Sequence, residues 1–343
     1  MRSKTLALLL GVGLALTACT TEEQQTDTIT LLTHDSFWGG VTDETFATFT
    51  TETGISVEVL PAGDAGSMVN QAILTKDRPV ADVLFGVDDT FLSRAVEAGI
   101  FLIYRSPLLS QVPDGIAAID EHVTPIDFGD VCLNYDRAVI SDAAAPMTLD
   151  DLTGARFSGQ LVVENPATSS PGLAFLLATI ARYGEDGWQD YWRSLVANGV
   201  KVAPDWDTAY YADFTRWGGD RPLVVSYASS PPAEVVFSET PIDTAPTGVV
   251  TDGCYRQVEF AGILAGTPKE EAARQLIDFM LSVEFQEQIP LTWFVFPANE
   301  LAALPAEFVA HTVIPSAPLR LPPTNIERNR ERWIAEWTEI VLP

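Results

Sequence analysis

The sequence is short of positive charge. Its 343 residues carry 20 Lys and Arg against 47 Asp and Glu, for a formal net charge of −27. A surface this acidic repels phosphate backbones and anionic lipid headgroups, which excludes nucleic acid as a partner and leaves cations or plain hydration as its use. Histidine and cysteine are equally scarce, at three each. His34, His122 and His311 are scattered, and Cys19, Cys132 and Cys254 have no second cysteine at short spacing. No zinc-type ligand set is therefore written along the chain, although a metal site assembled in space stays open. The apolar stretch from Leu6 to Leu16 is too short to span a bilayer. The Gly-x-Ser-x-Gly elbow, a Gly-rich strand-to-helix loop and repeats of solenoid length are also missing, which removes the usual signs of a serine hydrolase, a nucleotide site and a repeat array.

What is present begins with an export signal. Arg2 and Lys4 precede the apolar stretch, and Leu16-Thr17-Ala18-Cys19 closes it. That ending resembles a bacterial lipoprotein box, which implies a signal peptide over residues 1–18 and a lipid on Cys19. The polar segment 19–27 then reads as a tether on the outer face of the cytoplasmic membrane. Two cysteines remain, and in an oxidising compartment Cys132 and Cys254 most simply pair as a disulfide.

The mature chain is longer than one core usually organises, so two lobes are expected. The pattern alternates: "TITLLTHD" reads as a strand, "DETFATFTTETG" as a helix stopped by Gly54, and "ISVEVLPA" as a strand. "GSMVNQAILTK" has helical period, "ADVLFGVD" is a buried strand and "TFLSRAVEAG" a helix. Such alternation predicts an α/β fold with a mostly parallel sheet and its ligands at the carboxyl ends of strands. Those ends carry His34, Asp35 and Trp38, then Asp64 and Ala65, then Asp88. A second lobe opens near "DFGDVCLNYDRAVI". It contains the strand "GQLVV", a Thr168-Ser169-Ser170 helix cap, a strand through "RPLVVSYASSPPAEVV" and another through "CYRQVEFAGILAG". "PKEEAARQLIDFMLSVEFQEQI" reads as one helix. In "TNIERNRERWIAEWTEIV", Trp333, Trp337 and Ile340 form a packing face, with Arg328, Arg330 and Arg332 in solvent.

"DWDTAYYADF" is the segment with most chemistry. It sets Trp206, Tyr210 and Tyr211 among Asp205, Asp207 and Asp213. The tyrosines suit either a ferric ion held by phenolates or an aromatic slot for an organic cation.

From about Thr28 to the C-terminus the chain resembles the periplasmic thiamine-binding proteins of ABC importers. The resemblance is carried in order by "THDSFWGG", "GDAGSMVNQ", "ADVLFGVDD", "PIDFGDVCLNYD", "NPATSSPGL", "DWDTAYYADF", "LVVSYASSP", "CYRQVEFAG", "FMLSVEFQEQIP" and "WIAEW". It implies a type II periplasmic binding protein, two α/β lobes joined by crossing hinge strands. Lobe 1 would be 28–128 with 255–300, lobe 2 would be 129–254, and 301–343 would pack on both. It further implies a phosphate-holding loop at Asp64, Ala65 and Ser169, and aromatic walls from Trp38, Trp206, Tyr210 and Tyr227, with Trp293 or Phe294 closing the ring. His34 stands where the family has tyrosine. Asp35, Asp64 and Asp88 would neutralise a bound cation, while Tyr210 borders the ligand and Tyr211 points elsewhere. The implied partners are thiamine or its phosphates and a membrane permease, with no cofactor and a monomeric chain. A ferric-ion binder using Tyr210 and Tyr211, and a thiaminase-like enzyme using a free cysteine, are the alternatives.

Overall fold

The computed structural model describes residues 27–116 and 120–342. The leader, Cys19 and the tether lie outside them. Nine strands among the described residues form one sheet: β1 Asp27–Thr33, β2 Ile55–Pro61, β3 Val83–Asp88, β4 Thr124–Asp136, β5 Leu161–Glu164, β6 Lys201–Ala203, β7 Leu223–Tyr227, β8 Thr247–Ile263 and β9 Phe296–Pro297. Their order is β2-β1-β3-β8-β4-β7-β5-β6, with β9 on β4. The sheet is thus two parallel triads, β2-β1-β3 and β7-β5-β6, joined by the long antiparallel pair β4 and β8. The expected α/β class holds, and its parallel character is confined to the triads.

Register explains where a site can form. At the end of β3, Asp88 pairs with Glu259 of β8; at the end of β7, Tyr227 pairs with Val131 of β4. Both triads therefore run toward the middle of the central pair and deliver their carboxyl ends there. Cys132 and Cys254, one on each central strand, are joined by a disulfide with Cα atoms 4.3 Å apart.

Helices cover the sheet for reasons legible in their composition. In Ser170–Tyr183, every residue from Ser170 to Ile180 is buried. Four of them, Leu173, Leu176, Leu177 and Ile180, each contribute about 1.5–3 kcal/mol of burial. The helix Ala47–Thr53 stops at Gly54, whose φ of 74° is left-handed. Only glycine adopts that conformation without strain. Gly54→Ala is accordingly expected to lower stability by about 1 kcal/mol, read as a small drop in thermal midpoint.

Three sequence expectations need correction. The strand through Pro231 ends at Tyr227, and Pro231–Val236 is a helix, because two prolines cannot donate to a ladder but suit a first helical turn. The long helix after Pro268 breaks into Glu270–Met280 and Val283–Gln286, since Ser282 caps the second piece by accepting from the Phe285 amide at 3.4 Å. Arg330 is buried rather than solvated: its guanidinium lies over Phe91, 5.5 Å from the ring centre, and pairs with Glu331. Trp333 and Trp337 are fully buried on the same helix, Pro323–Val341, and Trp337 meets Trp192 edge-on at 5.4 Å.

Candidate functional site

A cavity of about 830 Å³ lies where the triads converge. That is the size of a small-molecule site. The loop after β1 supplies His34, Asp35 and Phe37; the loop after β2 supplies Asp64 and Ala65. From the other triad come Ser170, Trp206, Tyr210, Tyr211 and Tyr227, while the central strands give Asp127 and Glu259 and the chain before β9 gives Trp293 and Phe294.

The aromatic wall is rigid because its rings pack on one another and their polar ends are tied. Trp206 stacks on Tyr210 at 5.0 Å and meets Tyr211 edge-on at 5.5 Å. Its indole N–H donates to Ser226 Oγ at 3.0 Å. Trp293 stacks on Phe37 at 4.5 Å and donates to the Phe37 carbonyl at 2.8 Å. A Cβ on Gly40 would sit 2.4 Å from the Trp293 indole nitrogen, so glycine is needed there for the ring to lie flat against the loop.

The electrostatics have one sign. Asp35, Asp64, Asp127, Asp207 and Glu259 line the cavity with His34, and among the described residues no Lys or Arg does. Burial pushes Asp127 well above the usual carboxylate range, and the Glu259 charge adds to it. Burial also raises Asp64, against its hydrogen bond from the Ala65 amide. For His34, burial works downward but Glu259, 3.5 Å away, leads the charges that outweigh it and hold the imidazole above its ordinary value. Such a site favours a flat cation.

Of the residues singled out in the sequence, His34, Asp35, Asp64, Ala65, Trp206, Tyr210, Tyr227, Trp293 and Phe294 line the cavity. Trp38 does not. It is 47% exposed, because neighbours on the helix Asp35–Trp38 lie about 100° apart and Phe37 takes the inward position against Phe85 and Trp293. Asp88 is also withdrawn: it is fully buried and accepts from Thr90, the Phe91 amide and Ser170, so it is spent on the joint between triads. Ser169 is buried without capping its helix by a side-chain hydrogen bond, and Ser170 stands at the cavity in its place. Tyr211, expected to point elsewhere, lines the cavity with half its surface exposed. Phe37, Asp127 and Glu259 were missed. The signal for the two acids was a polar residue inside an apolar strand, Asp127 in "PIDFG" and Glu259 in "QVEFA".

The structure bears on both alternatives. Tyr210 is buried and donates to Glu234 Oε1 at 2.8 Å, so its hydroxyl is engaged within the protein, and burial first and Glu234 second push its phenol up. Among the described residues no group of three or more His, Cys, Asp or Glu is placed to hold a metal ion. Cys132 and Cys254 are bonded to each other, which leaves neither as the thiol nucleophile of a thiaminase-like enzyme. Among the described residues no helix is long and apolar enough to cross a membrane.

Known proteins agree with this geometry. The chain is 30% identical over 338 residues to the "Thiamine-binding periplasmic protein" of Brucella suis, covering 97% of this chain and 96% of that one. It is 29% identical over 347 residues to the protein of the same name from Escherichia coli, covering 99% of each. A solved structure titled "Periplasmic thiamin binding protein" superposes with a TM-score of 0.82 at 26% identity, over 92% of this chain and 96% of that one. These are binding proteins rather than enzymes. The profile described as "Bacterial extracellular solute-binding protein" matches residues 78–322, from β3 through the central strands and the second triad, and the chain belongs to that family.

Proposed function

We propose that this protein captures thiamine, free or phosphorylated, outside the cytoplasmic membrane and hands it to an ABC permease. The observation that carries the reading is a cavity walled by stacked aromatic rings and five acidic side chains with no Lys or Arg among the described lining. Thiamine offers what such a cavity selects: a thiazolium whose charge is spread over an aromatic plane, and an aminopyrimidine that stacks and forms hydrogen bonds. Trp206, Tyr210, Phe37 and Trp293 supply the cavity's aromatic lining. The similarity to thiamine-binding proteins along nearly the whole chain supports the same ligand.

Capture proceeds by closure of the two triads about β4 and β8. Three contacts already bridge them: the Gly66 amide donates to the Thr168 carbonyl at 2.9 Å, the Trp206 amide to Asp64 Oδ2 at 3.4 Å, and Ser170 to Asp88. Ligand binding energy then selects the closed arrangement, and the closed monomer is what a permease recognises. A lipid on Cys19 keeps the protein beside that permease.

Calorimetric titration with thiamine, thiamine monophosphate, thiamine diphosphate and Fe(III)-citrate tests the reading. A thiamine form is expected to bind with Kd below about 1 µM, and Fe(III)-citrate to give no heat. Heat with iron alone would reject it.

A further inference from the structure

Most polar groups along the cavity are already engaged. Trp206 and Trp293 spend their indole N–H groups on Ser226 and the Phe37 carbonyl, and Tyr210 spends its hydroxyl on Glu234. Ser230 Oγ is shared between Ser226 and the Tyr227 amide. Glu259 faces His34 at 3.5 Å and Gln257 at 3.3 Å. Asp127 differs. Only 5% of it is exposed, it lines the cavity, and its carboxyl has no hydrogen-bond partner among the described residues. A carboxyl that meets no protein donor and opens only into the cavity is free to be completed by a ligand there.

We propose that Asp127 reads the aminopyrimidine edge of the ligand, donating to the ring nitrogen beside the amino-bearing carbon and accepting from the amino group itself. This rests on the thiamine reading and names the group that recognises the uncharged ring. The thiazolium needs only rings and negative charge; the pyrimidine edge needs an acceptor and a donor side by side. A neutral carboxyl offers that pair in one plane. Asp127 is directly opposite Glu259 in the β4–β8 register, and two such acids in a buried site do not both ionise. Glu259 faces the His34 imidazole at 3.5 Å, and burial and the Glu259 charge both push the Asp127 titration upward, which favours the protonated form at Asp127. The titratable groups around it are Glu259 from β8, Tyr227 from β7 and His34 after β1; β9, its other neighbour, contributes none.

The test is calorimetry on the purified protein with thiamine and with an analogue lacking the amino group on the pyrimidine. Asp127→Asn keeps a donor and an acceptor and is expected to bind thiamine within about 3-fold of the wild type, whereas Asp127→Leu loses about 30-fold. The analogue should bind the wild type about 30-fold more weakly than thiamine does, and Asp127→Leu no more weakly than thiamine does. Wild-type affinity should fall as pH rises through the Asp127 titration, because the lost proton is the donor. Asp127→Asn has no such proton, so the difference between their pH profiles isolates this group from His34 and decides the matter even if Asp127→Leu fails to fold. Near-native thiamine affinity in Asp127→Leu, an equal analogue penalty in both proteins, a 30-fold loss in Asp127→Asn, or superimposable pH profiles would each overturn the role of Asp127 while thiamine binding stands. A wild type that binds no thiamine form removes the thiamine reading and this inference with it.

Discussion

Trp206→Ala is expected to weaken thiamine binding by about 100-fold while leaving the protein folded. One face of the indole is covered by Tyr210 at an interplanar angle of 18°, which leaves the other to the cavity. Stacking a desolvated cation on that face is worth about 2 kcal/mol, and the apolar area it covers adds about 1 kcal/mol, together about two decades in Kd. Trp206→Phe keeps a smaller, less electron-rich face and should recover about half of the lost free energy. The fold survives because Trp206 sits at the edge of a small cluster with Tyr210 and Phe214, and the two main cores do not depend on it. Titration of both variants checks this, with circular dichroism as the folding control. An affinity for Trp206→Ala within a few-fold of the wild type would mean that the slot is walled by Trp293 and Phe37 alone.

Reduction of the Cys132–Cys254 bond is expected to lower the unfolding free energy by about 4 kcal/mol and to leave thiamine affinity within about 3-fold. The two cysteines are 122 residues apart in sequence, so breaking the bond releases a very large loop in the unfolded chain, where most of the cost arises. The folded state loses little, since Val131 still pairs with Tyr255 and Leu133 with Val250 on either side. Neither cysteine lines the cavity. Denaturant unfolding with and without reductant, and the same pair of conditions in a thiamine titration, measure both halves. A stability change under about 1 kcal/mol would show that the strand pairing alone restrains that region, and a large affinity change would show that the bond governs closure.

The sequence by itself determined the alternation of strands and helices, the oxidised cysteine pair and the sign of the charge. Local rules suffice for these: apolar period separates "ADVLFGVD" from "GSMVNQAILTK", Gly54 must end its helix, and two cysteines in an oxidising compartment find one another. It also brought most of the cavity's residues to strand ends, because ligands gather there in any parallel sheet. Tertiary structure decided which neighbour turns inward. Phe37 rather than Trp38, and Ser170 rather than Ser169, face the cavity through single-residue rotations fixed by packing against Trp293 and Asp88. Tyr211 joins the wall because Thr208–Asp213 winds as a wider π-helical turn, which changes the angle between successive side chains. Arg330 is buried because a helix with a tryptophan face also carried it onto Phe91. Asp127 and Glu259 are 132 positions apart and oppose one another only through the β4–β8 register. No short-range pattern records that pairing, because a strand's partner is chosen by the sheet it joins.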